Sequence, residues 1–518
     1  MRIPQQGQSP VDIAEALADI RRQDPPIHGG RVLAYVYDAG VAESMSAGLA
    51  ALGAFAEVNA LDPTTFPSVA RIENDLVGWG LDLMQAPAGA AGVLTSGGTE
   101  SCILAVLAAR ERWRRAGGVG TPVILLADTA HPAFHKAAHL LGVDVQTVPV
   151  DRKTFRLTDD AVAEALEVSG DRVALVVVSA PSYAHGVVDD VTGIAAACAA
   201  RGIPCHVDAC IGGFTLAYAR LGGESVPPMD FAVDGVTSVG MDLHKYGFSP
   251  KGASLLLFRD ADLRSGTYYA FSEWPGYPVV NTTLQSTKSA GPMAAAWAVA
   301  HALGHDGFID AVRRAREATR RIALTVESIP GIQVVASPDS TLIAIAGEGD
   351  DPIDPFRLAD AMRRRGWILQ PQPSLGDLPR TLHLTVQPVS LDSIDAFEAD
   401  LRAACDEVRG LPWIDVTSDL EAAFAALPDL TSGGPLPGDG DERRVGRRDD
   451  PNARYRLDSK RHATRGLTST AYGVDEAVVA ERMGYGPRGG HRSGGLGALQ
   501  RRVHDRIARP LGEGVVRA

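Results

Sequence analysis

The stretch GVLTSGGTESCILAVLAARERWRRAGGVGTPVILLAD, residues 92–128, decides the fold class. Its first five residues form a short apolar run, which Gly97 and Gly98 interrupt. The apolar residues that follow recur on a broad helical face until Gly117 and Gly118 stop it. A second apolar run, PVILLAD, then ends at Asp128. This is strand, helix, strand, and the punctuation continues. Helix PAFHKAAHLLG (132–142) leads to strand VDVQTVPV (143–150), a helix from about Asp159 to Val168, and strand RVALVVVSA (172–180). Helix VTGIAAACAARG (191–202) and strand PCHVDA (204–209) follow. Strands written as continuous Val, Ile and Leu runs are buried on both faces, so the reading is α/β: a mainly parallel sheet covered by helices. Ligands on such sheets bind beyond the carboxyl ends of the strands, which makes polar residues there the first candidates for a site.

Further along, a helical stretch over about 290–328 precedes GIQVVAS (331–337), STLIAIAG (340–347), a helix from Pro355 to Arg365, RTLHLTV (380–386) and a helix from Leu391 to Arg409. This pattern predicts a smaller α+β domain. The expected division is an N-terminal segment over 1–50, a large domain over 51–300, a small domain over 301–412, and a Gly- and Arg-rich basic tail over 413–518 without a core.

The chain has 518 residues, 45% of them apolar, and a net charge of −13. That charge is unevenly placed: residues 441–518 carry +7 and the rest −20. An acidic body disfavours nucleic acid and anionic membranes, leaving a small molecule or another protein chain as partner. Five cysteines, odd in number and mostly in apolar surroundings, suit a reducing cytosol rather than a disulfide framework. Cys205 and Cys210 lack the spacing of a metal site, so no metal is expected. No signal-like N-terminus or run of about 18 apolar residues is present, so a soluble cytoplasmic protein is expected.

Three constellations carry chemistry. In TSGGTES (95–101) a strand ends in a glycine pair and opens a helix at Gly98 and Thr99, placing N–H groups where a phosphate can bind. In HVDACIGGF (206–214), Asp208 ends an apolar strand, either as a cap or as the partner of a protonated heterocycle nitrogen. In SVGMDLHKYGFSPKGASLLLF (238–258), Lys245 sits between an apolar strand and glycine turns. Partial desolvation there lowers a lysine's pKa and suits Schiff-base chemistry. Phosphate cradle, Asp and Lys, in that order on one sheet, are the three handles of pyridoxal 5′-phosphate.

With these motifs in place, the sequence resembles the group II pyridoxal-phosphate-dependent decarboxylase family, and within it the sphingosine-1-phosphate lyase branch. The resemblance runs from about Val32 to about Arg409. It is carried by NALDPTTFPSVARIE (59–73), TSGGTES, HPAFHKAA (131–138), SAPSYAHGVVDD (179–190), HVDACIGGF and DLHKYGFSPKG (242–252). It implies fold-type I architecture: a mainly parallel seven-stranded sheet with helices on both faces, a smaller C-terminal domain, and a homodimer with a shared active site. It also implies that Lys245 forms the Schiff base, that Asp208 holds the pyridine nitrogen protonated, and that His131 stacks on the ring. Gly98, Thr99 and His244 match phosphate contacts. Thr287 matches a hydroxyl through which the neighbouring subunit reaches that phosphate. Ser179 and His206 lie at strand ends near the ring. Tyr37 and Lys251 match substrate-side positions.

Departures from the family pattern bear on the substrate. An Asn-x-x-His motif reads Asn59-Ala60-Leu61-Asp62, placing Asp62 where an imidazole would meet the substrate's phosphate. A Gly-Ser-Arg motif reads Ser286-Thr287-Lys288, and an expected tyrosine falls at Val279, with Tyr277 close by. The expected activity is a carbon–carbon lyase acting on the external aldimine of an amino acid or amino alcohol, with decarboxylation as the default and retro-aldol cleavage second. The alternatives are an aminotransferase, with Arg380 as carboxylate clamp, and a non-catalytic cofactor-binding protein.

Overall fold

A computed structural model of the chain describes residues 3–415. The chain opens with helix α1 (Pro10–Ile20). Ser9 starts it: its hydroxyl accepts from the Asp12 amide at 3.2 Å, and its backbone N–H donates to Asp12 Oδ2 at 3.4 Å, a reciprocal cap. Helices α2 (Ala42–Ala54) and α3 (Pro67–Leu83) lead into a run of alternating elements. These are β1 (Ala91–Thr95), α4 (Gly98–Arg115), β2 (Val123–Ala127), α5 (Ala133–Leu141), β3 (Asp144–Val148), α6 (Asp159–Ser169) and β4 (Val173–Ser179). Then come α7 (Val191–Ala200), β5 (Cys205–Asp208), α8 (Gly212–Leu221), β6 (Val236–Met241) and β7 (Ser254–Phe258).

The strands form a seven-stranded sheet in the order β1-β7-β6-β5-β4-β2-β3. Only β7 runs against its neighbours, β1 and β6. Every residue of β2 and β4 is buried, the physical counterpart of their unbroken apolar sequences. On one face α4 and α5 cover the sheet, packing Ile103, Val106 and Phe134 on Ile124 and Leu126. The other face belongs to the largest core, which gathers Ile194, Phe214 and Val299 around Val176, Val207 and Leu255. Register sets Ser179, Asp208 and Gly240 abreast at the carboxyl ends of β4, β5 and β6.

A short helix, α9 (Ala261–Ser265), precedes the hairpin β8 (Tyr269–Phe271) and β9 (Val279–Asn281). Helix α10 (Gly291–Glu327) follows and is broken at Gly304, whose φ of 59° and ψ of 177° are not helical. The small domain adds β10 (Ile332–Val334), β11 (Leu342–Gly347), α11 (Pro355–Arg364), β12 (Gln370–Gln372), β13 (Thr381–Thr385) and α12 (Ile394–Val408). Its antiparallel sheet, ordered β10-β11-β13-β12, packs a separate core of Ile322, Ile343, Leu382, Phe397 and Leu401.

The expected boundaries at 50 and 300 fall inside α2 and α10, which run through them. Nor is the N-terminal segment separate. Leu33 lies in the small-domain core, its N–H donating to Ile368 O at 2.9 Å and its carbonyl accepting from Thr385 N at 2.7 Å. The sequence pattern misses this because one inserted strand-like contact leaves no periodicity. From residue 416 onward the expected tail lies outside the described residues. All five cysteines are buried and free. Among the described residues, no helix is long and apolar enough to cross a membrane.

Candidate active site

A cavity of about 350 Å³ lies beyond the ends of β4, β5 and β6, closed on one side by the start of α4. Its phosphate end is shaped by backbone. Gly97 adopts φ 157° and ψ 170°, a region open in practice to glycine alone. A Cβ on Gly98 would stand 2.8 Å from Asp242 Oδ2 and 3.0 Å from Cys210 Sγ, so the cradle exists only because both positions lack side chains. The first N–H groups of α4, including that of Thr99, have no partner within the helix and border the cavity. Glu100, which the motif reading passed over, fixes this loop: its Oε2 accepts from the amide and hydroxyl of Ser96, each at 2.6 Å, and its Oε1 from Leu284 N at 2.6 Å.

The strand ends supply the opposite wall. Ser179 and Asp208 line the cavity, the former anchored by its N–H donating to Asp189 Oδ2 at 2.7 Å and the latter accepting from Cys210 N at 3.2 Å. His131, just before α5, accepts from Ala133 N through Nδ1 at 3.2 Å, which leaves Nε2 as the protonated nitrogen of a neutral ring. Burial pushes its pKa below the ordinary histidine value. Tyr183, also on the wall, donates to Gln370 Oε1 at 2.5 Å and so ties the cavity to β12 of the small domain.

Lys245 enters from the turn after β6. Its Nζ lies 2.9 Å from Asp242 Oδ2, and His244 Nε2 lies 3.8 Å from the same oxygen. Here the expected lowering of the lysine's pKa is corrected. Burial does oppose the charge, but Asp242 and the negative groups behind it lift Lys245 well above the ordinary value. Asp242 itself is held below the usual carboxylate range, burial being outweighed by Lys245 and His244. Asp242 stands only three residues before Lys245, but sequence alone does not say that the intervening turn folds it back onto the amine.

Tyr37 and Lys251 meet beside this group. Lys251 donates to His244 O at 3.0 Å and sits 4.5 Å above the Tyr37 ring. Burial, and after it the neighbouring Lys245 charge, pushes its pKa down to about 8. Two other candidates are placed elsewhere. Asp62 caps an exposed turn, accepting from Thr64 N at 2.9 Å, Thr64 Oγ1 at 2.6 Å and Thr65 Oγ1 at 3.0 Å. Neither it nor Thr287 lines this chain's cavity. The two segments do join each other, through an Asn59–Ser289 bridge and an Ala60 N–H donating to Lys288 O at 2.8 Å.

His206 does not line this cavity; its Nδ1 lies 2.9 Å from Ser238 Oγ, and burial lowers its pKa to about 4. Arg380 is engaged by Asp354 Oδ1 at 3.3 Å and Ile414 O at 2.9 Å, and cannot serve as a carboxylate clamp from there. Among the described residues, no cluster of His, Cys, Asp and Glu is suited to a metal. The chemistry of the donor set fits pyridoxal phosphate: a cradle that a single Cβ would fill, an amine, and a carboxylate and an imidazole on the walls between them.

Known proteins point the same way. The profile of the pyridoxal-dependent decarboxylase conserved domain matches residues 28–346. The chain is 32% identical over 429 residues to the sphingosine-1-phosphate lyase of Arabidopsis thaliana, covering 81% of this chain and 76% of that one. It is 33% identical over 375 residues to the Drosophila melanogaster sphingosine-1-phosphate lyase, covering 72% and 67%. Among solved structures, the Burkholderia pseudomallei sphingosine-1-phosphate lyase aligns with a TM-score of 0.77 at 30% identity, over 84% of this chain and 98% of that one. The Lactobacillus brevis glutamate decarboxylase, at 21% identity and a TM-score of 0.69 over 79% and 95%, shares the fold.

Proposed function

The chain belongs to the pyridoxal-dependent decarboxylase family and is a pyridoxal-phosphate-dependent carbon–carbon lyase, and from the geometry we propose which of its residues do the work and on what. When bound, the cofactor supplies an aldehyde for an amine and a ring that takes up the electron pair of the broken bond. The α4 N-terminus, Gly98 and Thr99 hold the phosphate, with His244 beside them. Asp208 holds a proton on the ring nitrogen. His131 covers a ring face, its neutral imidazole adding no charge there. The Lys245 amine carries the aldehyde and, once released, moves a proton at the reacting carbon. The observation that supports this reading is the arrangement of Lys245, Asp208 and the glycine cradle around one cavity.

The substrate proposed is a small-molecule amine whose neighbouring carbon bears a hydroxyl, cleaved by the retro-aldol route to an aldehyde. The sphingosine-1-phosphate lyases among its relatives favour that route over decarboxylation. Lys251, charged below about pH 8 and packed on Tyr37, offers an anion contact at the substrate end.

A homodimer completes the site in this proposal. The joined segments bearing Asp62 and Thr287 lie off their own cavity, and in a dimer they would reach that of the neighbouring subunit. The test is incubation of the cofactor-loaded protein with phosphorylated amino alcohols, β-hydroxy amino acids and plain amino acids, with products read by mass spectrometry. Aldehyde release supports the reading. Carbon dioxide release with an amine product would replace it with decarboxylation.

A further inference from the structure

Glu100 has no part in the roles above, although it is buried in the cavity wall with only 6% of its surface exposed. A buried carboxylate is costly unless its oxygens are bonded. Those of Glu100 are bonded in different directions. Oε2 accepts from the amide and hydroxyl of Ser96, in the loop that leads into the cradle, and Oε1 accepts from the Leu284 amide, far along the chain. Lys288 adds a positive charge in the field of Glu73 and Glu100, and donates to Thr283 Oγ1 at 3.0 Å.

The bond to Leu284 anchors one end of the segment that carries Thr287. At the other end Ser289 Oγ donates to Ala56 O at 2.8 Å, and the Ala290 N–H donates to Val58 O at 2.9 Å. Between these anchors Gln285, Ser286 and Thr287 are exposed. Ser96 and Thr99, on the rim of the cradle, are exposed as well. One carboxylate thus fixes both the rim that holds this chain's phosphate and the segment offered to a second chain.

We propose that Glu100 is a positioning residue for two cofactor sites at once: through Ser96 it holds the cradle of its own subunit, and through Leu284 it holds Thr287 against the phosphate bound in the neighbouring one. The inference rests on the homodimer proposed above. Without the carboxylate, the Ser96 loop loses the acceptor of its amide and hydroxyl, and the Thr287 segment keeps only its far anchor. A defect at position 100 is therefore felt in both sites of the dimer, including the one whose own cradle is intact.

The experiment uses full-length dimers assembled from two differently tagged chains, one of them silenced by Lys245→Ala, so that the visible band of bound pyridoxal 5′-phosphate reports a single site. Glu100→Ala on the silent chain leaves the reporting site its own cradle and alters only the segment it receives. The dissociation constant of the cofactor there should rise by about tenfold, the size of one lost hydrogen bond to a charged group. Glu100→Ala on the reporting chain, opposite a chain that carries only Lys245→Ala, should raise the constant as well, through the cradle. Thr287→Val on the silent chain should reproduce the first loss, and both substitutions together on that chain should lose no more than either alone. An unchanged constant in either arrangement overturns the proposal, as does a joint loss equal to the sum of the two. Where Glu100→Ala prevents folding, Leu284→Pro deletes the same amide from an exposed position and takes its place on the silent chain, with the same outcomes. Sedimentation separates the premise from the inference: a monomer overturns both, whereas a dimer with no effect across subunits overturns this inference alone.

Discussion

The cradle and the β8–β9 segment meet at Glu100, yet they are built on opposite principles. Residues 96–102 carry two glycines that no other residue can replace, and buried side chains hold them from beneath. Between Tyr269 and Leu284 the chain instead turns apolar groups outward: Tyr269 is 61% exposed, Tyr277 56% and Leu284 53%, with Trp274 44%. The Glu100 carboxylate binds Ser96 on one side and Leu284 on the other, so both regions share one anchor. Within one chain the cofactor end is thus enclosed, whereas the hairpin presents the kind of exposed aromatic surface that marks an interface.

This contrast can be broken at several points. The largest effect is expected from Lys245→Ala, which removes the amine from the enclosed half. Turnover should fall by at least about 10³-fold, as for loss of a positioned proton-transfer group, and the visible band of the loaded protein should vanish. A variant that kept its band would show that the amine lies elsewhere. Next comes the open half. Replacing Trp274 and Tyr277 together with serine should weaken self-association by about 10³-fold if both are central anchors, measured by sedimentation at decreasing concentration. Activity would then depend on protein concentration; association equal to wild type would mean that the exposed hairpin is not an interface.

Lys251, which donates to His244 O beside the enclosed half, sharpens the comparison through pH. With its pKa pushed down to about 8, it is charged below that pH and neutral above it. In the proposed role, Lys251 would hold an anionic group of the substrate best near pH 7, and this contribution would be lost as pH rises through 8. Lys251→Met should raise KM by about tenfold at pH 7, worth roughly 1.4 kcal/mol, and the gap from wild type should close by pH 9. A gap that persisted unchanged at pH 9 would assign Lys251 to packing against Tyr37. The smallest effect belongs to Tyr35, whose φ of 64° puts a bulky residue in the left-handed region while its side chain is largely exposed. Tyr35→Gly should relieve about 1 kcal/mol of strain and raise the melting temperature by a few degrees. A lower melting temperature would mean that the ring makes contacts worth more than the strain.

The α/β alternation was legible because buried parallel strands need unbroken apolar sequence, and β2 and β4 supply it. Lys245, Asp208 and the cradle were legible for a related reason: strand ends are marked by the change from apolar to polar residues. Glu100 and Tyr183 were not. Each acts through a partner far along the chain, Leu284 and Gln370, and no local spacing encodes such a pair. Arg380 failed in the opposite sense, since its place in PRTLHLTV looked suitable until Asp354 and Ile414 were seen to occupy it. That Leu33 joins the small-domain core was not legible either, since it does so through two backbone hydrogen bonds, which carry no side-chain signature.

By itself, the sequence determined the layer architecture, the order of the reactive groups and the cofactor they suit, because each of these rests on local periodicity or on residue type at a strand end. Only the tertiary structure decided the charge state of the centre. Lys245 read alone is a desolvated amine with a depressed pKa; with Asp242 folded back to 2.9 Å it is an ammonium. Burial acts on a residue through its immediate surroundings, whereas the field that opposes it comes from whichever charge the turn brings close, and that distance exists only in the folded chain.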